Sequence, residues 1–396
     1  MEDIKSKSLE QHEKYRGKWE IKVKTPLLTK ENLSTFYSPG VAEPCIAINK
    51  NPSLVYKYTN ISNTMAIISD GSAILGLGNI GPRAGLPVME SKAAVLKTFA
   101  DVDTMPLVIG TQDTKEIINF CKYIAPSLSA IMLEDIAAPR CVEIERALEK
   151  ELDIPVFHDD QHGTAIVCCA ALINAAKVVG KNLKDLSVVV SGTGAAGSAI
   201  INALHNLGIT KIRAFNLKGV VHEKNPEFNT YNFLSLELLP LLNKDYTYNK
   251  GTMEETIIGT DVFIGVSAPN ILTTEMVKSM NKDAIIFALA NPNPEILPDV
   301  AIAAGAKVVG TGRGDFANQI NNVLAFPGIF RGALDAGATK INTEMKNAAV
   351  YAIANIISIN DLSATNILPD SLNKDVVINV AKAVKDAAIA SGVVRK

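Results

Sequence analysis

The chain has 396 residues, 47% of them hydrophobic and 20% charged, with a formal net charge of -2. That length suffices to bury the cores of two domains. That charge supplies no basic footprint for nucleic acid, and no run approaches the roughly 18 apolar residues of a membrane span.

Five cysteines, at 45, 121, 141, 168 and 169, are odd in number and show no CxxC spacing. They point to a reducing, cytoplasmic setting without a zinc site. Residues 1–16 are polar with mixed charges and lack the apolar core of a signal peptide.

Residues 1–50 read as partly helical and then irregular. Thr35 to Ala42 reads as a turn, in which Pro39 fixes one φ and Gly40 relaxes the next. Such a turn presents Tyr37 to a cleft or packs it on a core edge. Thr64 to Asp70 reads as a buried strand, Asp70-Gly71 as a turn and Ala73 to Leu77 as a second short strand. The glycines and prolines of Gly78 to Pro87 exclude regular structure there, and such a loop either lines a site or simply connects. From Met89 to Phe99 the residues Met89, Ala93, Leu96 and Phe99 fall on one helical stripe. Lys92 lies beside that stripe. Desolvation there lowers a lysine pKa toward that of a useful base; the plainer reading is a snorkelling side chain.

The chain then alternates. Strand-like runs at 105–109, 129–133 and 155–157 enclose helical runs at 114–123 and 139–152. This alternation predicts an α/β fold with a parallel sheet, where ligands collect beyond the carboxyl ends of strands. Two acidic pairs occupy such ends, Glu134-Asp135 and Asp159-Asp160. Each pair alone reads equally as a helix N-cap. Two pairs on successive strand ends favour a divalent cation, and all-oxygen ligation suits Mg2+ or Mn2+.

A helix over 161–179 leads to the apolar strand 186–190, the turn Gly192-Thr193-Gly194-Ala195-Ala196-Gly197, a helix over 198–206 and a strand over 212–215. In this context the glycines read as a dinucleotide cradle with pyrophosphate on the helix N-terminus. The acid expected at the end of the second strand is replaced by Asn216, with Lys211, Arg213 and Lys218 nearby. An amide there does not repel a 2′-phosphate, so NAD, NADP or both are expected. Further strands are expected at 261–266, 283–289 and 307–310, and helices at 343–357 and 374–390. Asn291 follows one strand end, where it faces the cofactor or serves the turn before proline. The loop 311–322 is rich in amides, neutral donors suited to carboxylates and carboxamides.

Taken in order, the motifs FYSPGVA at 36–42, SDGSAILGLGNIGP at 69–82, PVMESKA at 87–93, LEDIAAP at 133–139, FHDDQHGTA at 157–165, SGTGAAG at 191–197, DVFIGVSAP at 261–269, ANPNPE at 290–295 and NQINNVLAFPGIFRGALD at 318–335 resemble those of the malic enzyme family in its short bacterial form. The resemblance spans nearly the whole chain. It implies metal-dependent oxidative decarboxylation of L-malate to pyruvate and CO2 with NAD or NADP. It implies Glu134, Asp135 and Asp160 as metal ligands, Lys92 as general base and Tyr37 as general acid. Asn291 and Asn322 would position substrate, Asp159 would support metal and base, and Gly192, Gly194 and Gly197 would hold the pyrophosphate. It further implies a homodimer or higher homo-oligomer, in which Tyr37 can complete a neighbour's site.

The expected architecture is an N-terminal α/β substrate and metal domain over 1–155 and a Rossmann-type domain over 156–396, whose C-terminal helices can pack back on the first. One departure from larger relatives of the family is Ala73, where they carry a substrate-gripping arginine. A malolactic enzyme releasing lactate and a dinucleotide-sensing protein without turnover are the competing readings.

Overall fold

A computed structural model of the chain describes residues 2–395. Two sheets organise it. The first contains β1 (Thr64–Ser69), β2 (Asp103–Val108), β3 (Ala130–Leu133) and β4 (Val156–His158), in the order β2-β1-β3-β4 and parallel throughout. The order reverses at β1, so a crevice opens beyond the carboxyl ends of β1 and β3. β4 pairs with β3 through Leu133 and His158, which carries the first sheet past the expected 155/156 division as far as His158.

The second sheet contains β5 (Ser187–Ser191), β6 (Lys211–Asn216), β7 (Gly219–Val220), β8 (Val262–Gly265), β9 (Ala284–Ala288) and β10 (Ala306–Thr311). Its order is β10-β9-β8-β5-β6-β7, with only β7 antiparallel. Here the order reverses at β5, and the crevice lies where the glycine turn leaves that strand.

The helix Asp159–Val178 runs between the two halves. Fifteen of its twenty residues are buried, so it is a core helix with no solvated face of its own. Phe157, directly before it, is fully buried against Phe330 and His162. Truncating such a ring to alanine costs about 3–5 kcal/mol. Asn174, in the middle of this helix, donates to Ala354 O (2.8 Å) and Ile367 O (3.0 Å), which fastens the C-terminal segment to the centre.

Of the C-terminal helices, Thr343–Ala354 packs on it, and Phe326–Ala336, Thr343–Ala354 and Lys374–Ala390 pack on each other. They also reach the first half. Arg331 Nη1 donates to Asn63 Oδ1 at 2.7 Å, and past the last helix Arg395 Nη1 donates to Tyr56 Oη at 2.9 Å. Among the described residues no helix is long and apolar enough to cross a membrane.

Two local expectations fail. Residues 73–77 form no strand; they close a 3-10 turn over Leu75–Leu77, with Ile74 N–H donating to Gly78 O (3.0 Å). Gly71 and Gly78 have φ of +68° and +74°, and they fold the run back on itself instead of along a sheet. The stretch 78–87 is not wholly irregular, because the helix Pro82–Ala100 begins inside it. Pro82 occupies the first turn, where a missing N–H costs nothing, and Pro87 is carried one turn further in.

Candidate active site

β1, β3 and β4 end side by side, with Ile68 aligned to Leu133 and Leu133 to His158. The residues that follow therefore emerge together. Asp135 adopts φ +53°, a left-handed conformation that aspartate tolerates better than most residues. Its N–H donates to Asp160 Oδ2 at 2.8 Å. One oxygen each of Glu134, Asp135 and Asp160 lies within 4.8 Å of the others.

Lys92 enters from the helix Pro82–Ala100. Its Nζ donates to Asp159 Oδ2 at 2.5 Å, lies 3.0 Å from Glu134 Oε1 and sits 4.5 Å over the ring of Phe326. Burial alone would lower its pKa, but Asp159, Glu134 and Asp160 hold it well above the usual lysine range. The desolvation expected from sequence is thus present and outweighed. Burial, together with the neighbouring carboxylates, in turn pushes the Glu134 carboxyl well up against the opposing pull of Lys92.

Four carboxylates face one ammonium here, and Glu134 Oε2 and Asp159 Oδ1 are buried with no hydrogen-bond partner among the described residues. Buried carboxylate oxygens demand compensation. An oxygen-only donor set short of positive charge fits a hard divalent cation such as Mg2+ or Mn2+. Gly163, one turn into the helix Asp159–Val178, makes room for this arrangement. A Cβ there would fall 1.9 Å from Asp159 Oδ1 and 3.1 Å from Asn322 Cβ.

The cluster forms one wall of a cavity of about 770 Å3. Asn291, Gln319 and Asn322 also line it, while Val88, Val95, Leu289 and Phe326 supply apolar surface. The halves touch at its rim, where a Cβ on Gly76 would lie 2.2 Å from Asn291 O. Ala73 lines the cavity, and among the described residues no arginine does. The amides of the 311–322 loop divide in use. Asn318 is spent internally, donating to Val309 O and Ala364 O and accepting from Ile367 N–H.

A second cavity of about 550 Å3 lies over the glycine turn, lined by Gly192, Thr193, Gly194, Asn216, Lys218 and Tyr231 among others. Ser267 lines both cavities, so they adjoin. Gly192 has φ +111°, and a Cβ on Gly197 would fall 1.8 Å from Gly192 O. Ala195 and Ala196 open the helix Ala195–Asn206, and Ala196 reaches the first cavity. Asn216 donates from Nδ2 to Thr193 Oγ1 (3.1 Å) and accepts from Lys218 N–H (2.8 Å). Lys218 Nζ bonds Thr230 O and Thr230 Oγ1. Lys211 stands at the opposite end of β6, and Arg213 is turned to Thr256 O and Ile258 O, so neither faces this cavity.

Tyr37 is not brought to the cluster within one chain. It caps the helix Lys30–Phe36, is 70% exposed and does not line the cavity.

Comparison with known proteins places this geometry. Residues 16–149 match the malic enzyme N-terminal domain, and residues 161–389 match the malic enzyme NAD binding domain. The chain belongs to the malic enzyme family.

It is 51% identical to the bifunctional malic/malolactic enzyme of Bacillus subtilis, over 99% of this chain and 95% of that protein. It is 44% identical to the NADP-dependent malic enzyme of Salmonella typhimurium over 99% of this chain, which spans 53% of that longer protein. The malic enzyme of Pyrococcus horikoshii superposes with a TM-score of 0.94 at 44% identity, covering 99% of this chain and 92% of that one.

Within this malic enzyme framework several supporting residues escaped sequence reasoning. Asp70, fully buried, pairs with Arg140 Nη2 at 2.9 Å and accepts from Ser72 Oγ at 2.6 Å, which fixes the β1 turn against the start of the helix Arg140–Glu151. Glu295, also fully buried, accepts from Ser267 N–H (3.0 Å) and Ala290 N–H (3.1 Å), bracing the ends of β8 and β9. The ANPNPE motif held the signal for Glu295, an acid in a run otherwise without charge. Glu145 is the third.

Proposed function

We propose that the chain catalyses oxidative decarboxylation of L-malate to pyruvate and CO2 with reduction of NAD+ or NADP+. The observation that carries this reading is the buried Lys92 and carboxylate cluster on a cavity that adjoins the glycine-turn cavity at Ser267. Glu134, Asp135 and Asp160 would hold the metal, and Gly192, Gly194, Ala195, Ala196 and Gly197 the dinucleotide, with Asn216 at its ribose. When bound, the divalent cation would polarise the C2 hydroxyl and take up enolate charge, and the nicotinamide would accept hydride from C2.

The protein's own groups do the rest. Lys92 takes the hydroxyl proton. Asp159 orients that amine and offsets the positive charge it gains. The carboxylate surplus that raises the Lys92 pKa is the charge a divalent cation would balance, and that balance would bring the amine toward the neutral form that accepts a proton. Asn291 and Asn322 donate to the substrate carboxylates, in a cavity where no arginine does so among the described residues. Val88, Val95, Leu289 and Phe326 limit water beside the reacting carbon.

Tyr37 protonates C3 after CO2 departs, and we propose that it does so in the site of a second copy. The helices and turns of residues 30–59 contain no buried residue, and Leu28, Leu33, Phe36 and Tyr37 are exposed. Apolar surface of that extent suits a symmetric partner. Mixing inactive Lys92→Ala and Tyr37→Phe proteins then restores about a quarter of wild-type turnover, since one of two sites in each mixed dimer is whole. A site complete within one chain predicts no recovery.

The direct test is malate with Mn2+, assayed separately with NAD+ and NADP+ for reduced nicotinamide, pyruvate and lactate. Stoichiometric reduced cofactor and pyruvate support the reading. Lactate without net reduction supports the malolactic alternative; the Bacillus subtilis relative is named for both activities. Absence of all malate-dependent turnover supports a dinucleotide sensor instead.

A further inference from the structure

Glu145 lies on the helix Arg140–Glu151 and is 3% exposed. Among the described residues no lysine or arginine comes within 4.0 Å of it. A carboxylate buried this far needs donors, and it has three, all from one short stretch. Its Oε1 accepts from His158 N–H at 2.7 Å. Its Oε2 accepts from Gln161 Nε2 at 3.1 Å and from His162 Nε2 at 3.0 Å.

These donors bracket Asp159 and Asp160. His158 is both the last residue of β4 and the N-cap of the helix Asp159–Val178, yet its side chain makes no capping bond. Glu145 supplies the acceptor that this helix start otherwise lacks, from a neighbouring helix. It faces a separate polar cavity of about 270 Å3, which it lines together with Gln161, His162 and Lys346, and it does not line the substrate cavity.

We propose that Glu145 is a positioning residue for the metal centre. It clamps the β4–helix junction from behind, so that Asp160 meets Glu134 and Asp135 while Asp159 meets Lys92. The inference rests on the reading of Glu134, Asp135 and Asp160 as metal ligands. Residues that orient ligands in this way typically control metal affinity about 10- to 100-fold.

The test is Mn2+ binding to the full chain without malate or dinucleotide, followed by the electron paramagnetic resonance of free Mn2+. Glu145→Gln keeps the volume but turns a donor amide toward His162 and Gln161. It raises the Mn2+ dissociation constant about 10- to 100-fold, leaves NAD(P)+ affinity unchanged, and recovers most of kcat at saturating Mn2+. His162→Phe, which removes one donor, gives a smaller rise of about threefold to tenfold. Unchanged Mn2+ affinity in folded Glu145→Gln overturns the inference; should that variant not fold, unchanged affinity in His162→Phe does so. Equal loss of Mn2+ and dinucleotide affinity also overturns it, since a merely structural residue behaves that way. A wild-type chain that binds no Mn2+ instead removes the metal reading beneath it.

Discussion

The junctions after β4 and after β5 are built alike and filled in opposite ways. In each, an apolar strand of a parallel sheet ends at or beside a crevice and a helix starts within a few residues, at Asp159 in one and Ala195 in the other. Each helix carries a glycine near its start because something passes too close for a Cβ: Asp159 Oδ1 at Gly163 and Gly192 O at Gly197. The first junction spends its helix N-terminus on two carboxylates of its own. The second has no acid in its first turn and leaves backbone N–H groups for a ligand. In the function we propose, one backbone plan serves a cation centre when its side chains are acidic and an anion cradle when they are absent.

The largest effect separates the halves by chemistry. Lys92→Ala removes the proposed base from the acidic junction and leaves the glycine turn intact. We expect turnover to fall about 10^2- to 10^4-fold, with NAD(P)+ affinity unchanged by fluorescence titration. Near wild-type turnover would take Lys92 out of the mechanism.

The paired glycines test the comparison itself. Alanine is favoured over glycine inside a helix by about 1 kcal/mol, so neither substitution should fail through helix propensity. Gly163→Ala places its Cβ 1.9 Å from Asp159 Oδ1, and Gly197→Ala places its Cβ 1.8 Å from Gly192 O. The first should weaken Mn2+ binding about tenfold or more and spare the dinucleotide. The second should weaken the dinucleotide by a similar factor and spare Mn2+. Both affinities falling in both variants would mean that the two junctions form one cooperative unit.

The contrast also explains what could be read from sequence. Strands β1 to β6 and β8 to β10 were visible as apolar runs, and both acidic pairs and the glycine turn follow such runs directly. Lys92 was visible as a polar residue beside an apolar stripe. The direction of its pKa shift was not, because the carboxylates that raise it arrive from the ends of β3 and β4. Glu145 was illegible for a similar reason: its donors lie 13 to 17 residues onward, across β4. The helix start at Pro82 is hidden in the sequence because proline and glycine content alone does not distinguish a first turn from a loop. Asn318 belongs to the amide-rich loop that reads as ligand-binding, but its partners at Val309, Ala364 and Ile367 come together only in the packed chain.

The smallest expected effect lies at Asn216, where the anion cradle departs from the usual acid. Both ends of this amide are engaged, Nδ2 with Thr193 Oγ1 and Oδ1 with Lys218 N–H. Asn216→Asp preserves that frame. The carboxylate still accepts from Lys218 N–H, and the Thr193 hydroxyl can rotate to donate. What changes is one negative charge, which favours ribose hydroxyls and repels a 2′-phosphate. Lys218, the only cation lining this cavity among the described residues, already bonds Thr230 O and Oγ1 and compensates little. The substitution should therefore raise the KM for NADP+ about tenfold relative to that for NAD+, with kcat nearly unchanged. Equal changes for both cofactors would place the ribose elsewhere in the cavity and remove Asn216 from cofactor choice.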